Sequence, residues 1–472
     1  MAIAFPYKEK TTEDVGNTFV PDFDFEPISD AQALFTEEQL PKAAHEPVIA
    51  VGIMSQPTLK FQLHGDFRCA QTKEHYTGSF SAELVAGKIQ FENHYFDELV
   101  FEPQQKDAVF ELKDVTIGIQ FHWERREHQQ FQGALRVIVD NDTLWAINDI
   151  AAEDYLYSVI ASEMSATASL EFLKAHAVIS RSWLLAPMWN KPKSESHLAQ
   201  QNTSDDTLIK WYERDAHQLF DVCADDHCQR YQGIARARTL LVRQAIDETR
   251  GEVLVYKGEI CDARFSKSCG GVSELFESCW ADEHYDYLTP VRDDASCSEL
   301  PDLSVEENAE RWIRTSPEAF CNTSDQQILS QVLNQYDQET QDFYRWKVRY
   351  STEQLSELLK KRSGIDFGIV VDLIPIERGA SGRLTKLQII GTKRTLIVGK
   401  ELEIRKWLSE SHLHSSAFVA DKTTDGFVLT GAGWGHGVGL CQIGAAVMGA
   451  KGYTYDQILK HYFRGATLNA AY

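Results

Sequence analysis

Between residues 48 and 147 apolar positions recur at every second residue, in short runs bounded by turn residues. "VIAVGIM", "LKFQLHG" and "KIQFEN" are such runs, and Val115, Ile117, Ile119, Phe121 and Trp123 alternate within "DVTIGIQFHW". Phe131, Leu135, Val137 and Val139 continue the pattern around Gly133. A period of two puts successive apolar side chains on one sheet face, so residues 47–147 read as a β-rich N-terminal domain. Residues 1–46 are acidic, proline-containing and aperiodic, and read as an extended arm or linker.

The period changes after Asn148. In "EDYLYSVIASEM", Leu156, Val159, Ile160 and Glu163 fall at helical intervals. Ser169 is placed to cap a second helix, "LEFLKAHAVISRSWLL", with Glu171 in its first turn. Further helices are expected near 205–222 and 234–247, followed by a strand, "EVLVY". A helical insertion is expected at about 300–365; its last helix opens with the capping box Ser351-x-x-Gln354 and closes at Gly364. Strands return at 368–376, 384–390 and 394–398, and "GFVLT" leads into two terminal helices. With no βαβ rhythm and no internal repeat, the class is α+β: a β-rich N-terminal domain followed by a mixed α/β domain over 148–472.

Composition narrows the function classes. A net charge of −23 over 472 residues argues against a phosphate-tracking nucleic-acid binder and against binding to an anionic membrane surface. No run of eighteen apolar residues is present, so no transmembrane helix is expected. The opening "MAIAFPYKEK" lacks a signal-peptide core, which leaves an intracellular protein or one whose targeting segment was trimmed. Nine cysteines without framework spacing argue against a disulfide scaffold.

The stretch 431–445, "GAGWGHGVGLCQIGA", has glycine at every second position from Gly431 to Gly439. Such a run needs a backbone reason, either a phosphate-cradling loop or close approach to another chain. A dinucleotide loop needs a following strand and an acidic residue about 20 positions on. Only 33 residues follow Gly439, they read as two helices, and there is no Walker lysine. Close approach survives.

Several residues carry candidate chemistry. Glu163 continues an apolar helix face, where a dry environment would raise its pKa toward that of a general acid; the plain alternative is an ion pair with Lys174 or Arg181. Lys174 and Arg181 share a helix face, as ligand-orienting groups or as a basic edge paired with Glu171. Ser268-Cys269-Gly270-Gly271 reads as a tight turn exposing N–H groups for substrate, without an adjacent histidine to make Cys269 a nucleophile. His436, between glycines, reads as a site residue. Gln442 begins a helix as a ligand or loop-fixing group, and Cys441 as a small buried residue. His217, Cys223, His227 and Cys228 supply four N/S donors within twelve residues, enough for tetrahedral zinc; the alternative is chance clustering of thiols.

Taken together, the blocks resemble the stage II sporulation protein D (SpoIID/LytB) family. "GWGHGVGLCQIGAAVMGAKGYTYDQILKHYFRGATL" resembles its C-terminal signature. "EDYLYSVIASEMSATASLEFLKAHAVISRSWLL", "ARFSKSCGGVSE" and "ERGASGRLTKLQIIG" resemble three further blocks, in order, over roughly 150–468. Ser165, His176 and Ser182-Trp183 depart from the family's proline, Gln and Thr-Tyr.

The resemblance implies a bacterial, extracytoplasmic cell-wall factor acting on peptidoglycan glycan strands. Glu163 falls on the family's catalytic glutamate, Lys174 and Arg181 match family positions, and some members bind zinc through a comparable cluster. A lytic transglycosylase of this kind would need only Glu163. The carboxyl protonates the glycosidic oxygen between N-acetylmuramic acid and N-acetylglucosamine, then takes the proton of the muramyl 6-hydroxyl, which closes a 1,6-anhydro ring. No water, second carboxylate or cofactor enters the chemistry, in contrast to two-carboxylate hydrolysis. One structural zinc is expected, bound by His217, Cys223, His227 and Cys228. The alternative is a non-catalytic wall-binding protein that enhances a partner amidase. A zinc amidase is disfavoured, because four protein ligands leave the metal no open position. Glu163, the Ser268–Gly271 turn and the glycine run are expected to line one cleft, with Gly433, Gly435 and Gly437 leaving space for a glycan and Trp434 stacking on a sugar.

Overall fold

The computed structural model describes residues 40, 42–118, 124–164, 168–190, 201–212, 217–225, 228–234, 240–296, 299–332 and 342–472. Most of the expected arm, the strand positions Ile119, Phe121 and Trp123, and Ser165 and His227 lie outside these residues. The described end of the arm is tied down: Ala43 N–H donates to Ala471 O, and Glu46 accepts from Glu153 N–H.

The chain is mixed α and β with a strand-rich N-terminal region. Ten strands between Val48 and Ala151 join Val222–Cys223 in an eleven-stranded sheet that is antiparallel except where Val48–Gln56 meets Val222–Cys223. Alternation drives it: in Thr58–Cys69, Leu59, Phe61 and Leu63 are buried while Lys60 is exposed. Phe61, Phe91 and Phe101 meet inside, with ring centroids 5.3 Å apart for Phe61–Phe101 and for Phe91–Phe101. Burying each such ring contributes about 1.5–3 kcal/mol.

The boundary expected at 147 falls inside a strand, Thr143–Ala151, which runs directly into helix α1, Ala152–Glu163. Residues Gln39–Tyr472 form one compact unit, and a single apolar core continues from the sheet through α1 and α2 (Leu170–Trp189). Ser169 caps α2 as the sequence reading has it, accepting from Phe172 N–H at 3.3 Å. Fourteen of the 20 residues of α2 are buried, so this helix is a post surrounded by protein rather than a surface element.

Two expectations are corrected. The helix expected over 205–222 is replaced, among the described residues, by strands Thr207–Lys210 and Val222–Cys223. Thr207–Lys210 runs parallel to Thr395–Gly399, with Thr207 opposite Ile397, so a distant partner overrides local preference. The expected helix at 234–247 is α3, Leu240–Glu248. The insertion at about 300–365 is not wholly helical. It holds α4 (Glu306–Arg314), α5 (Gln326–Val332) and α6 (Thr352–Ser363), but Arg345–Ser351 is a strand. That strand pairs with Gly426–Ala432, and a Cβ on Gly431 would lie inside the Trp346 indole. Helix α6 has the expected capping box and ends at Gly364 in the left-handed conformation, φ 73°.

Strands Val370–Arg378, Leu384–Gly391 and Thr395–Gly399 complete a five-stranded sheet, which packs with α6 and α7 (Glu401–Trp407) around a second core. A short parallel pair, Phe265–Ser266 with Leu440–Cys441, joins the sequence block at 263–274 to the glycine run. Helices α8 (Gln442–Ala450) and α9 (Tyr455–Tyr462) then pack against α2.

Candidate functional site

Glu163 is the last residue of α1 and is half-buried. Its carboxylate accepts from Arg230 N–H at 3.4 Å. The ion pair weighed for it is absent, because its two candidate cations are held elsewhere. Arg181 is fully buried and grips Glu153 with two hydrogen bonds, Nε–Oε1 3.0 Å and Nη2–Oε2 2.6 Å. Lys174 reaches Glu248 at 2.6 Å and Glu171 at 3.2 Å. Lys174 is thus paired with Glu171 and Glu248, and Arg181, read as a ligand-orienting group or part of a basic edge, is instead a buried strut against Glu153.

Arg230 also lines a cavity of about 400 Å³ beside the first sheet. Met54, Trp145, Gln129, Gln232, His217 and Cys223 share its wall. Both amide atoms of Gln129 and the Gln232 carbonyl oxygen are buried without a hydrogen-bond partner. Buried amides without partners are rare; Gln129 and Gln232 border the cavity, but these atoms are shut off from its open space, so a ligand hydroxyl reaches them only after the side chains turn. Sequence reading missed these residues; the clue available to it was "CQRYQG", directly after the cysteine cluster.

The same segment carries the expected metal ligands. His217 Nε2 stands 3.3 Å from Cys228 Sγ, and Cys223 N–H donates to that sulfur at 3.4 Å. Donor atoms of His217, Cys223 and Cys228 lie within 4.8 Å of one another, while His227 is outside the described residues. One nitrogen and two sulfurs converging at a half-buried point fit a tetrahedral zinc.

The glycine run and the Ser268–Gly271 turn do meet, but as a closed structure. Ser268 and Trp434 exchange both backbone hydrogen bonds, at 3.0 and 2.8 Å. Cys269 N–H donates to Cys441 Sγ and Gly271 N–H to Cys269 Sγ, so these N–H groups of the turn are used internally. Gly270 O accepts from Trp312 Nε1 and Arg345 Nη1. Ser268, Cys269, Gly270 and Gly271 are all buried. The space that Gly433 and Gly437 leave is filled by Arg383: a Cβ on Gly437 would sit 2.5 Å from its Cζ, and one on Gly433 3.0 Å from its Nη2. The run thus lies close against its own chain. Gly437 also has φ +81°, which L side chains rarely adopt.

The remaining expected residues support this loop. Trp434 is half-buried, its ring 4.2 Å from that of His414 and 4.8 Å from that of Phe343. His436 Nδ1 accepts from Val438 N–H at 3.0 Å, and burial together with Arg264, Arg383 and Arg405 keeps the imidazole well below its usual pKa and neutral. Gln442 is buried and meets His176 Nε2 at 3.1 Å. Among the described residues, the hydrogen bonds of Glu163 and those of the glycine run share no residue.

Residues 140–256 match the family model "Stage II sporulation protein", and residues 274–439 match a domain of unknown function (DUF8618). An uncharacterised protein of Brachyspira hyodysenteriae is 27% identical over 339 residues, 72% of each chain. The stage II sporulation protein D of Bacillus subtilis is 24% identical over 329 residues, 69% of this chain and 76% of its own. The amidase enhancer of Bacillus subtilis is 25% identical over 235 residues, 48% of this chain and 32% of its own. The chain therefore carries a stage II sporulation protein domain and is a homologue, at modest identity, of stage II sporulation protein D and the amidase enhancer.

Proposed function

We propose that this protein is an extracytoplasmic lytic transglycosylase that cuts peptidoglycan glycan strands between N-acetylmuramic acid and N-acetylglucosamine. The observation that carries this reading is the state of Glu163. It is a half-buried carboxyl at a helix end, left without Lys174 or Arg181 and touching the segment that lines the amide-bearing cavity. An ion pair with Lys174 or Arg181 would favour the charged carboxylate and oppose its use as a proton donor, and neither cation reaches it. The glycan lies in the cavity with a sugar face on Trp145, and its hydroxyls meet Gln129 and Gln232 once those buried side chains turn toward it. Glu163 protonates the bridging oxygen, which leaves the muramyl anomeric carbon as the N-acetylglucosamine 4-hydroxyl; the carboxylate then takes the proton of the muramyl 6-hydroxyl, whose oxygen bonds to that carbon.

A zinc ion held by His217, Cys223, His227 and Cys228 would be structural, with no open position for chemistry. It would fix the loop that presents Arg230 to Glu163. The second reading, a non-catalytic wall protein that enhances an amidase, is favoured by the likeness to the amidase enhancer. Mass spectrometry of glycan strands incubated with the purified chain separates the two: 1,6-anhydro ends support the first reading, and intact strands with a stimulated amidase support the second.

A further inference from the structure

A second cluster of soft ligands lies away from the first and is buried throughout. Cys269, Cys321, Cys441 and Asp293 come from four separate segments, and their donor atoms all lie within 4.8 Å of one another. Cys269 Sγ is 3.7 Å from Cys321 Sγ, and Cys441 Sγ faces the Cys269 N–H at 3.3 Å. The bland reading is that thiols pack well as small apolar side chains. Three details go beyond it. Two sulfurs bound to one tetrahedral zinc at about 2.3 Å stand about 3.8 Å apart, close to the 3.7 Å found here. Cys441 Sγ and Cys269 Sγ each receive a backbone N–H, from Cys269 at 3.3 Å and Gly271 at 3.4 Å, as metal-bound thiolates commonly do. Apolar packing also gives no reason for a wholly buried carboxylate against the three sulfurs.

Asp293 is oriented as an outer shell would orient a ligand. Its Oδ1 accepts from Tyr462 O–H at 2.6 Å and its Oδ2 from Cys321 N–H at 2.8 Å, leaving each oxygen a further lone pair. A Cβ on Gly444 would collide with both Asp293 oxygens and with the Tyr462 hydroxyl, so glycine at this point of α8 lets the carboxylate and its tyrosine donor pack against the helix.

We propose that Cys269, Cys321, Cys441 and Asp293 bind one zinc-class divalent cation. The three thiols release their protons to solvent on binding, and nothing is oxidised or reduced. With four protein ligands the ion is structural. It ties the turn at 268–271, the loops at 293 and 321, and the start of α8 into one unit, and so locks the glycine run to its neighbours.

The test uses the full chain, prepared without chelator, with metal per folded chain read by elemental analysis. Cys223→Ser/Cys228→Ser removes two donors of the half-buried cluster and is expected to keep one equivalent of zinc. Adding Cys321→Ser is expected to remove it. If that triple variant fails to fold, cobalt(II) titrated into the metal-free double variant decides. One equivalent with sulfur-to-cobalt charge-transfer bands upholds the site. No metal in the double variant, or a covalent Cys269–Cys321 bond in mass spectra of the unreduced chain, overturns it.

Discussion

Arg181 and Glu153 meet as a two-pronged pair, Nε–Oε1 3.0 Å and Nη2–Oε2 2.6 Å, with both side chains shut off from solvent. Tyr472 O–H and Gly251 N–H also donate to Glu153 Oε1, so the pair pins the C-terminus and strand Glu252–Tyr256 to α1 and α2. Breaking such a pair by removing one partner typically costs about 3–5 kcal/mol. Arg181→Ala is therefore expected to lower stability by that order in denaturant titration. Burial pulls the Glu153 carboxyl upward, but Arg181 and the other donors outweigh it and hold it below the usual range. A depressed carboxylate stabilises above its unfolded value, about pH 4.3, and that contribution is lost as pH falls toward the folded value. Wild-type stability should drop on acidification below that point, and less steeply in Glu153→Gln.

Gly437→Val should unfold the loop rather than merely block a ligand. The new side chain meets Arg383 in a backbone conformation that only glycine adopts readily. Overpacking alone costs about 1–3 kcal/mol. A fall in melting temperature, measured without any substrate, is the expected result; an unchanged one would restore the open-cleft reading of the glycine run.

His176 is expected to stay neutral in the folded protein. Burial, with Lys267 adding, lowers its pKa to about 3. Nε2 then accepts from the Gln442 amide and Nδ1–H donates to Ser180 Oγ, at 3.1 and 3.2 Å. The unfolded chain binds a proton here between about pH 3 and its ordinary value near 6.5, so this group makes stability rise with pH across that window. Nitrogen NMR should find Nδ1 protonated and Nε2 bare at pH 5. Gln442→Leu leaves Nε2 without its donor and should cost about 1–3 kcal/mol.

Gln129→Leu is expected to separate binding from folding. Its amide has no partner to lose, so stability should hold or rise, because an unpaired buried polar group is unfavourable. Glycan binding should weaken several-fold in the same variant, read as a rise in KM with kcat little changed. Equal binding with equal stability would remove the cavity from the proposed site.

Elements with strong local signals were legible in the sequence. The caps at Ser169 and Ser351, the αL glycine at 364 and the alternation of Leu59, Phe61 and Leu63 act over a few residues and survive any tertiary context. What escaped depends on distant partners. Thr207–Lys210 is a strand because Thr395–Gly399 lies beside it, and Arg345–Ser351 because Gly431 admits Trp346. Trp346, Val348 and Tyr350 alternate, a short period-two signal flanked by helix-forming sequence. At the site, Glu163 and the cluster at 217–228 could be picked out by residue type and spacing. The unpaired amides of Gln129 and Gln232 could not, since only the packed chain leaves them without partners. The same holds for Cys269 and Cys441, 172 residues apart in sequence and in contact in the fold.

The most direct test of the proposed chemistry compares wild type with Glu163→Gln on purified peptidoglycan strands, counting 1,6-anhydro ends by mass spectrometry. Glutamine keeps the size and the contact with Arg230 but cannot give and retrieve a proton. Acid–base catalysis typically contributes about 10²–10⁴-fold, and with one group serving both steps the loss should sit near or beyond the upper figure. Abundant anhydro ends from wild type, near none from a folded Glu163→Gln that still binds strands, is the result expected. Anhydro ends formed equally by both proteins, or hydrolysed reducing ends in their place, would contradict it.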